Sequence, residues 1–174
     1  MLESYQGHFP TIAPTAWVHP AASLIGQVRV GDESSIWPGA SLRGDEEPII
    51  VGAQTSIQDN CTLHAYGGLF PTRVGSRVTV GHNVVLHGCT IGDDCLIGMG
   101  SVLLDGVCIG SGSFVAAGSL IPPGKHFPEK SFILGSPAKR IRETTDKDNA
   151  AIRLGWSRYI EQARIYLAEH GTLA

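Results

Sequence analysis

An aliphatic residue returns every six positions along most of this chain, and that period limits the fold more than any other feature. The series runs Val18, Leu24, Val30, Ile36 and Leu42, then Val51, Ile57 and Leu63, then Val74 and Val80. It resumes at Ile91, Ile97, Leu103, Ile109, Val115 and Ile121. A fixed short period is the signature of a solenoid. An α-helix needs apolar spacings near three and four, and the glycines that follow the aliphatic residues (Gly31, Gly52, Gly75, Gly81, Gly92, Gly98 and Gly110) work against one in every repeat. Helix is therefore excluded for residues 18–121. Six residues suit a short flat strand plus a tight corner, so three repeats make a triangular coil of about eighteen residues. The aliphatic side chain is expected to point inward and stack on its equivalent one coil away, while the small neighbour lets the backbone turn. Each coil buries little alone. Stacked, the coils share one apolar core, their strands run parallel, and both ends need a cap.

The 174 residues, 43% of them hydrophobic, fit an all-β solenoid over 1–143 with a C-terminal segment, 144–174, packed on it. After Ile121 comes a proline-rich closing turn and one last extended piece. A helix is expected over about 146–170, with Thr145 or Asp146 as N-cap and Gly171 just past its end. Ile152, Trp156, Tyr159, Ile160, Ala163, Tyr166 and Leu167 fall on one stripe, read as packing against the solenoid wall or a neighbouring subunit. No apolar run is long enough to span a bilayer. A net charge of −3 gives no electrostatic case for nucleic acid or an anionic membrane. The first residues, MLESYQGHFP, lack the basic and apolar segments of a secretion signal, so a cytoplasmic location is expected. Cys61, Cys89, Cys95 and Cys108 lie within repeats without a CxxC pair and read as small buried apolar side chains.

The interruptions carry the chemistry. Insertions in a solenoid are extruded as loops, often on the binding face. One lies at residues 43–48, and a longer one at 65–73 starts immediately after His64. A one-residue slip between Val80 and Ile91 brackets His82 and His87. All three histidines thus sit at departures from the repeat, on a scaffold rigid enough to hold imidazoles for a divalent metal. Zinc commonly takes three protein ligands and leaves a fourth position for water. Spacing alone does not make the three side chains converge, and hydrogen-bonded surface histidines are the alternative.

Particular stretches carry a resemblance. Arg43-Gly44-Asp45, Val51-Gly52, the run from Thr55 to Asn60 leading to His64, Val80-Gly81-His82 and Val85-Leu86-His87-Gly88 resemble the γ-class carbonic anhydrase family, and the likeness runs on through IGDDCLIGMGSVLLDGVCIG to GSPAK. It implies a left-handed parallel β-helix assembled as a homotrimer with a metal at each subunit interface. His64 and His87 would come from one chain and His82 from its neighbour. Zinc is the implied cofactor, with Fe2+ and Co2+ also suited to imidazole. Arg43 and Asp45 resemble an intersubunit ion pair, Gln58 and Asp59 lie where the family orients the metal-bound water, and Glu46 matches a carboxylate that assists proton transfer. The implied reaction is reversible hydration of CO2 to bicarbonate by hydroxide from a water whose pKa the metal lowers to about 7. The chain departs from the family pattern at residues 65–73, which lack the acidic shuttle, and at Ser56, where the family has asparagine. A hexapeptide acyltransferase, an acyl-CoA thioesterase and a non-catalytic, metal-clamped trimeric scaffold are the competing readings.

Overall fold

In the computed structural model, which describes residues 1–171, the six-residue period becomes a left-handed parallel β-helix of about seven turns. Its interior is three stacked ladders. On one face Val18 pairs in register with Ile36, then Ile57, Val80, Ile97, Val115 and Ile133. On the second, Leu24, Leu42, Leu63, Leu86, Leu103 and Ile121 follow one another, and on the third Val30, Val51, Val74, Ile91, Ile109 and Phe127. Apart from the partly buried Phe127 at the end of its ladder, these side chains are buried. Each contributes on the order of 1.5–3 kcal/mol relative to exposure.

Small residues after the aliphatic positions serve a different purpose from the one expected. The backbone at Gly52 is not in the left-handed region, and a Cβ there would lie 2.6 Å from the carbonyl carbon of Gly75 in the next coil. Such glycines allow coil to stack on coil. The turning is done elsewhere, by one left-handed residue per corner: Asn60 and Asn83 stand in line with Gly100 and Gly118, all at φ between 58° and 69°.

Residues 43–48 do not leave the wall as a loop. They form part of one long strand, Ser41–Val51, which pairs with Ser23–Val30 and absorbs the extra residues through a register shift between Gly26 and Val28. The slip also proves narrower than expected. Leu86 keeps the six-residue step from Val80, so the irregularity lies after His87, and His82 belongs to a regular turn.

At the first end, Leu2–Glu3 and Thr11–Ile12 add to Ser23–Val30 as parallel strands. At the other, Ser131–Gly135 turns back antiparallel on Ala138–Glu143, closing the stack. The helix Asp146–His170 then runs back across the face built on Trp17 and Trp37, which pack with Ala163, Tyr159 and Leu167. Its N-cap is Thr145, in a reciprocal capping box with Asp148. Of the expected stripe, Ile152, Ile160 and Ala163 are buried, while Tyr166 remains 38% exposed at the edge. Residues 172–174 of the expected C-terminal segment lie outside the described residues. No helix among the described residues is long and apolar enough to cross a membrane.

Candidate metal centre

Parallel register brings two of the histidines together. Thr62–His64 pairs with Val85–His87 so that His64 and His87 stand opposite each other, although they are 23 residues apart. One coil accounts for about eighteen of those positions, and the insertion after His64 accounts for the rest. Thr72, at the end of that insertion, is buried. Its hydroxyl donates to the His64 carbonyl at 2.5 Å and accepts from the Gly88 amide at 2.9 Å, tying both histidine strands to one side chain.

Each imidazole of the pair is held from outside by a carboxylate. His64 Nε2 lies 3.1 Å from Asp45 Oδ1, and His87 Nδ1 lies 2.7 Å from Asp105 Oδ1. A carboxylate only accepts, so these outer nitrogens carry the protons. The inner nitrogens, His64 Nδ1 and His87 Nε2, then face each other 3.2 Å apart with bare lone pairs. Burial pushes the Asp45 carboxyl up, but hydrogen bonds from Arg43, from its own backbone and from His64 outweigh this and leave it below its ordinary value.

His82 stands apart from the pair. It occupies the turn before Val85–His87, at the opposite edge of the same face, with Asn83 (φ 59°) completing the corner. Its Nδ1 is 2.9 Å from Asp59 Oδ2, one coil below. Among the described residues no group of three or more His, Cys, Asp or Glu side chains comes together to hold a metal within one chain. Two imidazoles therefore converge, and the third presents its free Nε2 on another edge. Beside it runs an apolar cleft of about 380 Å³, lined by Leu96, Met99, Phe114 and Ala117 and by the buried side chains of Gln58 and Thr79.

The remaining expected residues are distributed as follows. Arg43 and Asp45, expected to pair between subunits, make their ion pair within the chain because alternate residues of one strand share a face. Glu46, expected to assist proton transfer, accepts the Gly67 amide at 2.7 Å, and Glu47 accepts that of Gly68 at 2.9 Å. These carboxylates anchor the loop whose Tyr66 and Phe70 form a bridge and whose Phe70 side chain lies against Gly88 and Gly106. Of the other histidines, His8, His126 and His170 are exposed; His19 is half-buried, edge-on to Trp17 at 5.7 Å. Sequence reasoning missed Asp105 and Thr72. Asp105 lies 18 residues beyond His87, so coil arithmetic marks it as a neighbour, although its local context, LLDG, carries no metal-site motif.

Cys61, Cys89 and Cys95 are buried and Cys108 is partly so; all are free thiols. Burial pushes the Cys61 thiol up to about 11 and that of Cys95 to about 12, and raises Cys89 further.

Fold and site together define a left-handed hexapeptide-repeat β-helix carrying a carboxylate-buttressed imidazole pair on one edge and a third buttressed imidazole on another. Residues 88–123 match the bacterial transferase hexapeptide (six repeats) family. The chain is 43% identical over 166 residues to γ carbonic anhydrase 2, mitochondrial, of Arabidopsis thaliana, covering 92% of this chain and 60% of the plant protein. It is 43% identical over 173 residues to protein YrdA of Escherichia coli K12, covering 96% and 94%. A Bacillus cereus protein, provisionally named an acetyltransferase, superposes with a TM-score of 0.95 at 41% identity, over 97% of this chain and 98% of that one. The chain belongs to the γ-class carbonic anhydrase-like family of hexapeptide-repeat proteins.

Proposed function

We propose that this protein is a metal-dependent hydratase interconverting CO2 and bicarbonate, with zinc, or Fe2+ or Co2+ in its stead, held by His64 and His87 of one protomer and His82 of the next in a homotrimer. The observation that carries this reading is the 3.2 Å approach of His64 Nδ1 and His87 Nε2 while Asp45 and Asp105 hold the outer nitrogens. Two lone pairs at that distance repel unless a proton or cation lies between them. Carboxylate-held imidazoles with their free nitrogens converging are also the donor set a borderline metal prefers. The residues present therefore fit the ion.

When bound, such a cation supplies Lewis acidity and makes water a strong nucleophile near neutral pH. The chain's own groups do the rest. Asp45 and Asp105 fix the tautomer and ring angle of His64 and His87, and Asp59 does the same for His82, leaving Nε2 as its free donor atom. Gln58 is buried beside His82, where its amide can orient a reacting oxygen. Arg43 keeps Asp45 charged as a proton acceptor for His64.

Metal analysis of aerobically and anaerobically purified protein, paired with stopped-flow CO2 hydration, tests this. About one ion per chain is expected, with His82→Ala losing both metal and hydration. Full hydration by metal-free protein would overturn the reading. The apolar cleft beside His82 favours a second reading, in which the same imidazoles hydrolyse an acyl thioester whose chain lies along Leu96, Met99 and Phe114. Metal-loaded protein inert towards CO2 but active on acyl-CoA would select it.

A further inference from the structure

Two faces of the β-helix have assigned roles: the C-terminal helix covers part of one, beside the apolar cleft, and the histidines edge the second. The third presents, in register, Thr11, Arg29, Ile50, Arg73 and Thr90 on its outer side. A solenoid wall is flat, but here two departures from the repeat raise a rim around it. The N-terminal turn, closed by the Tyr5–His8 bridge, places His8 and Phe9 on one side, and Pro48 of the long strand stands on another. Between them lies a cleft of about 460 Å³, with Ile50 and Val28 in its lining.

Its charge is one-sided. Among the described residues, Arg43, Arg77, Arg140 and Arg142 of the solenoid each meet a carboxylate, whereas Arg29 and Arg73 meet none. No carboxylate lines the cleft. The acids nearest in sequence to Pro48, Glu46 and Glu47, are turned to the amides of Gly67 and Gly68. In a chain of net charge −3, an unneutralised pair of guanidiniums in one concavity is not a by-product of a basic surface. Arg29 and Arg73 each stand opposite Ile50, so their backbones are two strand spacings, roughly 10 Å, apart. Long side chains leaving one face at that separation can close on a single multivalent anion, and the guanidinium fork suits phosphate oxygens. The volume and the apolar wall exceed what inorganic phosphate needs. Phe9, 57% exposed at the rim, offers a ring face for stacking.

We propose that this cleft binds a small organic diphosphate bearing a planar ring, with Arg29 and Arg73 on the phosphates and Phe9 against the ring. The site is separate from the histidines, and the proposal does not depend on what they catalyse. Isothermal titration of the full-length, metal-loaded protein with adenosine diphosphate, at fixed ionic strength, is the test, with inorganic pyrophosphate as the second probe. Saturable binding of one nucleotide per chain is expected, with pyrophosphate weaker. Arg29→Gln and Arg73→Gln should each weaken adenosine diphosphate by at least about tenfold, Arg73→Lys less so, because a point charge replaces a bidentate fork. Phe9→Ala should bring the nucleotide down to the affinity of pyrophosphate. Metal content and the circular dichroism spectrum should not change in these variants, since both arginines are exposed. Absence of saturation at millimolar nucleotide, or binding that survives in Arg29→Gln/Arg73→Gln, would overturn the site. Pyrophosphate binding as tightly as the nucleotide would overturn the organic ligand.

Discussion

Asp105 touches the centre only through His87, yet it decides which nitrogen of that ring is free. With Nδ1 donating to Asp105 Oδ1 at 2.7 Å, Nε2 is left to face His64. Asp105→Asn retains the size and removes the charge, so the ring can rotate or change tautomer. Partners of this kind commonly cost 10–100-fold in metal affinity when lost, so a weakening of roughly that size is expected, read by competition with a chromophoric chelator. Unchanged affinity would show that the hydrogen bond does not orient the ligand. At this scale the sequence was legible in part. His64 and His87 could be singled out because both stand where the repeat breaks, but their pairing depends on how many residues the insertion absorbs. Asp105 sits inside an unbroken repeat, and only the coil length relates it to His87. Glu46 shows the converse: the family resemblance implies a part in proton transfer for it, while its contact with the Gly67 amide, 2.7 Å from its carboxylate, was not legible because it depends on how a distant loop folds back.

The C-terminal helix was the most legible element, because its start signal is local. Thr145 and Asp148 form a reciprocal box within four residues, and a buried Ala163 face meets Trp17 and Trp37. Thr145→Ala should cost about 1 kcal/mol in chemical denaturation. Asp148 adds a pH dependence. Its hydrogen bonds from Arg142, outweighing burial, and those from Thr145 hold the carboxyl well below the usual carboxylate range. A lowered carboxyl binds fewer protons folded than unfolded, so its stabilisation is complete at neutral pH and fades as pH falls from about 4. Denaturation midpoints followed by tryptophan fluorescence should therefore drop below that pH, and Asp148→Asn should flatten the part of the drop due to this group. An unaltered acid profile in Asp148→Asn would remove the carboxyl from the account. Residues 43–48 were less legible than the helix. Three extra residues in a repeat look like a loop, but the edge of Ser23–Val30 is eight residues long, and pairing with it satisfies backbone groups that a loop would leave to water.

At the scale of the whole molecule, the geometry of the coil holds His82 apart from the pair formed by His64 and His87. A rung of three residues, Val85–His87, lies between the turn of His82 and the side chain of His87, and a rigid wall cannot fold to bring them together. A centre that uses all three must borrow His82 from another copy, and a ring of three copies closes such a contact by rotation. This gives a test that no single variant provides. His64→Ala protomers keep His82 but lack a complete pair; His82→Ala protomers keep the pair but lack the third ligand. Neither alone should hold metal. Denatured together in equal amounts and refolded, they should assemble at random, and a site is restored wherever the intact pair of one meets the intact His82 of the next, at about one quarter of interfaces. Metal content and hydration rate should both recover to that fraction of the unmutated protein, and the metal should raise the melting temperature of the mixture but of neither parent. If each centre were built within one chain, the mixture would be as empty as its parents, because every protomer in it lacks one ligand.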